Sequence, residues 1–148
     1  MLGISEFQSL AEEIRLMPTI GEWVLRQACT NWQSWNIPAD EVDIRLRVKL
    51  SLIHLLYKGF RASLERVMND TNFDPIFLEI EVSEVNLNRA NLAAFVASFR
   101  YLNSKGVRIL IDHFGSNYLT LATLEDVKFH GVRLGSDFLK STLSTSRC

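Results

Sequence analysis

The run Val107-Arg108-Ile109-Leu110-Ile111-Asp112-His113-Phe114-Gly115 carries a buried-type strand straight into a carboxylate, a histidine and a glycine turn. One helix-length segment earlier, Phe77-Leu78-Glu79-Ile80-Glu81-Val82-Ser83-Glu84 repeats the pattern. Strands alternating with helices form parallel sheets through right-handed crossovers, so these two acid-tipped runs predict neighbouring strands of a parallel barrel or sheet. In such folds functional groups gather at the carboxyl ends of the strands.

The rest of the chain fits the same plan. A helix is expected from Ser5, as its cap, to about Arg15, with Phe7, Leu10, Ala11 and Ile14 as its apolar stripe. Pro18 suits the first turn of a second helix, from about Thr19 to Trp35, with Ile20, Trp23, Val24, Ala28 and Trp32 facing inward. Val42 to Leu52 alternates strictly, with Ile44, Leu46, Val48 and Leu50 on one face and Arg45, Arg47, Lys49 and Ser51 on the other, which is the period of a strand. A helix over Lys58 to Asn69 buries Phe60, Leu64, Val67 and Met68. After the Asp74-Pro75 turn come a strand at Ile76 to Val82, a helix at Asn88 to Ser104 ended by Gly106, and a strand at Arg108 to Asp112. A short helix or turn at Tyr118 to Leu124, a weak strand at Phe129 to Leu134 and a polar tail from about Lys140 complete the reading. The predicted class is α/β, with about four parallel strands and flanking helices.

At 148 residues the chain is expected to be one domain, residues 1–148. A net charge of -1 gives no overall basic footprint for a nucleic acid polymer. No apolar run approaches the ~20 residues of a membrane span, and Met1 to Gln8 lacks the pattern of a signal peptide, so a cytoplasmic location is expected. Two cysteines make no disulfide framework: Cys29 reads as a buried hydrophobe and Cys148 as an exposed terminal thiol.

Several collinear motifs resemble the EAL domain, the (β/α)-barrel phosphodiesterase family that hydrolyses cyclic di-GMP. Leu10-Ala11-Glu12-Glu13 and Gly21-Glu22-Trp23-Val24-Leu25-Arg26-Gln27-Ala28-Cys29 are similar to its second-helix region. Val48-Lys49-Leu50-Ser51 resembles its VNLS strand, Leu78 to Glu84 its LELEITE strand, and Ile111 to Tyr118 its DDFGTGY loop. Val132 to Phe138 is a weaker echo of its KIDRSFV strand. The resemblance covers about Ser5 to Leu139 and implies a partial TIM-like barrel. Such barrels take about 250 residues, so the chain is expected to supply the middle, without the family's first and last strands.

The resemblance also implies what each site position has become. Glu81 and Asp112 match metal ligands, and Glu84 matches the glutamate that organises the loop after the DD motif. Lys49 stands where a metal-binding asparagine is expected, His113 replaces the second aspartate of the pair, Arg133 replaces the lysine of the last motif, and Gly135 its aspartate. Two-metal phosphodiester hydrolysis needs ligands for two divalent ions ~3.5–4 Å apart. Two matching carboxylates cannot close two octahedral shells, and an ammonium at Lys49 would repel a cation. Glu81, Asp112 and His113 would suit one zinc or manganese ion only if the backbone turned at His113, since alternation otherwise sends that ring to the opposite face. The plainer expectation is a surface or capping histidine.

Alternation puts Arg45, Arg47 and Lys49 on one strand face, Glu79 and Glu81 on the next, then Arg108 with Asp112, then Arg133. One reading is an anion-binding groove built on Arg45, Arg47, Lys49 and Arg133. The simpler one is a self-neutralising network of cross-strand ion pairs. Trp23, Trp32 and Trp35 read as helix-packing residues, and His54 and His130 have no evident nucleophile beside them.

The resulting expectation is a catalytically inactive EAL-like domain acting through protein interaction or self-association. The alternatives are a degenerate cyclic di-GMP receptor and a residual phosphodiesterase. No cofactor is expected unless activity survives, when magnesium or manganese would be needed. Open sheet edges invite pairing, so a homodimer is expected, two four-strand halves closing one barrel.

Overall fold

The computed structural model describes residues 3–13, 15–37, 44–85, 87–115 and 127–135. Four strands, β1 (Leu46–Leu50), β2 (Leu78–Ser83), β3 (Arg108–Phe114) and β4 (Gly131–Leu134), form one sheet in the order β1-β2-β3-β4. All three pairings are parallel. The helices are α1 (Ile4–Glu13), α2 (Met17–Ser34), α3 (Leu52–Leu56), α4 (Phe60–Thr71) and α5 (Leu92–Ser104). Strand order follows chain order, which is the winding of a (β/α) barrel; a doubly wound sheet reverses its order part-way.

Alternation sorts β1 as expected: Leu46, Val48 and Leu50 are buried while Arg47 and Lys49 are exposed. In β2, Leu78, Ile80 and Val82 are buried, and so are Glu79 and Glu81. The apolar sheet face joins Leu25, Cys29, Phe60, Leu64, Val67, Phe95 and Phe99 in one core. Phe95 lies 4.1 Å from Phe99, which meets Phe129 edge-on at 5.5 Å. Each fully buried side chain of this size contributes about 1.5–3 kcal/mol. Burial also pushes the Cys29 thiol up to about 11, so it is inert as a nucleophile.

Element boundaries differ from the sequence expectation for local reasons. Among the described residues the first strand runs over Leu46–Leu50 and stops short of the expected Leu52. Ser51 ends it and caps α3, its Oγ accepting the His54 N–H at 3.1 Å. β2 begins at Leu78 because Pro75–Phe77 form a 3-10 turn, with Asp74 Oδ1 accepting the Ile76 N–H at 3.0 Å. α5 begins at Leu92 and not Asn88, because the Asn88 side chain accepts the N–H groups of Ala90 and Asn91 and holds a turn there. β3 continues past Asp112 to Phe114, and β4 begins at Gly131.

The inward stripe of α2 also needs correction. Its buried residues are Gly21, Leu25 and Cys29, four residues apart, and the expected Val24, Ala28 and Trp32 pack against the core beside them, while Trp23 is 62% exposed. Trp32 does pack, at 5.6 Å from Phe73 and 5.9 Å from Phe77, but Trp35 is exposed. On α1, Ala11 is buried whereas Phe7 and Leu10 are exposed. Tyr118 to Leu124, the tail from Lys140 and Cys148 lie outside the described residues. Among the described residues no helix is long and apolar enough to cross a membrane.

Candidate functional site

The register assembles a charged cluster on the sheet face opposite the core. Lys49 pairs with Glu81, Arg47 with Glu79, Glu79 with Arg108, and Ser83 with Asp112. In a parallel sheet paired residues share a face, so the alternating charged positions converge. Arg47 Nε donates to Glu79 Oε1 at 2.7 Å, and Arg108 Nε lies 3.6 Å from Glu79 Oε2. Lys49 Nζ reaches past its own partner to Asp112 Oδ2 at 3.0 Å and stands 3.7 Å from Glu81. Arg133, arriving from β4, lies 3.2 Å from Glu81 and 3.5 Å from Asp112. Lys49 and Arg133 therefore each bridge the same two carboxylates.

The cluster is layered. Glu79, Glu81 and Asp112 are buried at 6%, 7% and 3% exposure, while the Lys49 and Arg133 side chains are more than half exposed. Burial opposes ionisation of Asp112. The Lys49 hydrogen bond and charge, the His113 charge and the His113 N–H outweigh it and hold the carboxyl below its ordinary value. The hollow beside the cluster encloses about 190 Å³. Pockets for small molecules usually run to about 300–1,000 Å³.

Arg45 stands apart from this cluster. It precedes β1, and its guanidinium donates to the Ile76 carbonyl. Of the four basic positions named from sequence, the sheet brings Arg47, Lys49 and Arg133 over the carboxylates. Glu84 is fully buried, and its Oε2 accepts the Gly115 N–H at 2.9 Å, fastening the turn after β3. The Glu84 N–H in turn donates to the Asp112 carbonyl at 3.0 Å.

Strict alternation fails at His113. Its φ is +59°, in the left-handed region, and the β3–β4 register shifts between Ile111 and Phe114. The backbone turn brings Nδ1 to 3.3 Å from Asp112 Oδ2 and 3.4 Å from Ser83 Oγ, while the ring stays half exposed. His130 has a backbone partner: its Nδ1 accepts the Ile109 N–H at 3.1 Å. Sequence reasoning missed a second polar network, between α2 and α4. Glu22 accepts from Ser63 at 2.6 Å and from Arg66 at 3.1 Å, and Arg26 donates to Asp70 at 2.8 Å. The signal for it was the i,i+4 pair Glu22 and Arg26.

A family model described as the EAL domain matches residues 1–147. This chain belongs to the EAL domain family. It is 32% identical over 141 residues to an uncharacterized signaling protein of Caulobacter vibrioides, covering 95% of this chain and 17% of that one. It is 30% identical over 134 residues to the bifunctional diguanylate cyclase/cyclic di-GMP phosphodiesterase MucR of Pseudomonas aeruginosa, covering 90% of this chain and 19% of that one. Among solved structures it resembles the PaMucR phosphodiesterase in its c-di-GMP complex, with a TM-score of 0.78 and 28% identity over 94% of this chain and 56% of that one. The chain thus spans about a fifth of the curated relatives it matches.

Among the described residues, Glu81 and Asp112, which match metal-ligand positions of the EAL domain, are both engaged by Lys49 and Arg133. Among the described residues no group of three or more His, Cys, Asp or Glu side chains is disposed to hold a metal ion.

Proposed function

We propose that this EAL domain does not hydrolyse cyclic di-GMP and acts in cyclic di-GMP signalling by association, with itself or with another protein. The observation that carries the reading is the double bridge. Lys49 and Arg133 each neutralise both Glu81 and Asp112, at 3.0–3.7 Å. A metal ion entering there would have to displace two tethered cations and face their repulsion.

The test is incubation of the purified chain with cyclic di-GMP and millimolar magnesium or manganese, followed by chromatography for the linear dinucleotide. No product is expected. Turnover that disappears in Glu81→Ala would refute the reading.

A second reading, a cyclic di-GMP receptor, is favoured by the layering of the cluster. The exposed heads of Arg47, Lys49 and Arg133 lie over buried carboxylates and direct positive potential outward. Calorimetric titration with cyclic di-GMP separates the two. Heat of binding that is lost in the Arg47→Ala and Arg133→Ala variants would establish the receptor.

A further inference from the structure

The amino ends of the strands carry another charged cluster, at the opposite end of the sheet from Asp112 and His113. Arg45 immediately precedes β1, and its guanidinium donates to the Ile76 carbonyl. Arg108 opens β3, with its Nε 3.6 Å from Glu79 Oε2. His130 precedes β4 and is clamped to β3 by two hydrogen bonds. Its N–H donates to the Ile109 carbonyl at 2.8 Å, and its Nδ1 accepts the Ile109 N–H at 3.1 Å. An accepting Nδ1 leaves the proton of a neutral imidazole on Nε2.

The donors of this cluster are largely unspent. The Nε atoms of Arg45 and Arg108 are buried without a hydrogen-bond partner among the described residues. The Nε2–H of His130 has no partner there either. Charge is unbalanced as well. Glu79 faces Arg108, but Arg47 already takes its Oε1 at 2.7 Å. Asp74, at the turn before β2, is tied to the Ile76 N–H at 3.0 Å. Burial and the charges of Arg108, Lys128 and Arg45 hold His130 below its ordinary range, against the opposing charge of Glu79. Like charges gathered in this way repel one another, and a bound anion relieves the repulsion. Guanidinium groups match the paired oxygens of a phosphate in particular.

We propose that Arg108 and His130, flanked by Arg45 and Lys128, form a binding site for an oxyanion of the phosphate class at the amino ends of the strands. The terminal nitrogens of Arg108 donate to two of its oxygens, and His130 Nε2–H donates to a third. This site is separate from the cluster of Lys49 and Arg133 and does not rest on the function proposed above.

The test is an NMR titration of the full chain with inorganic phosphate and, in parallel, with glycerol phosphate, against sodium chloride at matched ionic strength. The His130 ring resonances are expected to shift saturably with phosphate. The pH at which the ring protonates should rise, because a neighbouring anion favours the charged imidazole. Arg108→Gln should weaken phosphate binding at least about tenfold, the scale of a charge-assisted hydrogen bond. Arg45→Gln should weaken it by a smaller factor, and Arg133→Ala should leave it unchanged. Thermal melts verify that each variant folds. Saturation by inorganic phosphate supports a site for the free anion, and saturation by glycerol phosphate alone supports a site for a phosphate ester. A His130 ring that neither compound moves, or that chloride moves equally, would overturn the proposal. So would phosphate binding that survives Arg108→Gln and is lost in Arg133→Ala.

Discussion

Lys49 Nζ stands 3.0 Å from Asp112 Oδ2 although β2 runs between their two strands. The ammonium thus spans the central strand to reach a carboxylate that Arg133 approaches from the opposite edge. The interaction is electrostatic in origin, and its effect is legible as a titration.

Removing the ammonium should raise the ionisation point of Asp112. Its carboxyl is held below the ordinary value, so its contribution to stability is present above that value and is lost as pH falls through the folded-state one. Lys49→Ala is expected to move the Asp112 carboxyl resonance upward in an NMR titration. It should cost about 1 kcal/mol in urea unfolding at neutral pH, a modest figure because the lysine is half exposed and Arg133 remains. An unchanged titration would mean that Lys49 does not hold the carboxylate.

His54 predicts a different pH response. It is 1% exposed and edge-on to Phe60 at 5.3 Å, and neither ring nitrogen has a hydrogen-bond partner among the described residues. Burial lowers its pKa to about 4, with the Glu22 charge opposing the shift in part. A depressed histidine favours the folded state fully above its ordinary value near 6.5. That advantage is lost as pH falls from there through about 4. Wild type should lose up to roughly 3 kcal/mol over that window relative to His54→Leu. Parallel urea midpoints for the two proteins across the window would contradict the assignment.

Gly21 should tolerate no side chain. A Cβ there would sit 2.0 Å from His54 Nδ1. Alanine improves helix propensity by about 1 kcal/mol, but a clash inside a packed joint costs typically about 1–3 kcal/mol and more when the neighbour is fixed. Gly21→Ala is therefore expected to lower the melting temperature despite sitting in mid-helix. Combining it with His54→Ala should recover much of the loss, and a melting temperature raised by Gly21→Ala alone would show that the ring moves aside.

The metal-ion prediction follows from the double bridge. Magnesium or manganese at millimolar concentration should leave the melting temperature of the wild type unchanged, because a ligand stabilises only by binding the folded state. A saturable rise would reveal a site that the ion pairs do not block.

The sheet and its charged face were readable from sequence because strand alternation and parallel pairing are periodic. Arg47, Lys49, Glu79, Glu81 and Asp112 fall on one face by counting alone. The failures occur where the period breaks or where residue size misleads. His113 departs through a left-handed backbone turn that no alternation foretells. On α2, Val24, Ala28 and Trp32 pack against the core as read, but Trp23 does not, and the buried line starts at Gly21, where His54 leaves no room for a side chain. Ser51 carried a usable cap signal, but the apolar run that follows it fits a strand as readily as a helix. Arg45 shares the parity of Lys49 but lies before the strand begins, and parity says nothing about where a strand starts.

The shared grip of Lys49 and Arg133 is redundant. With either one replaced, the other still covers both acids, so the full effect of the grip shows only when both are removed together.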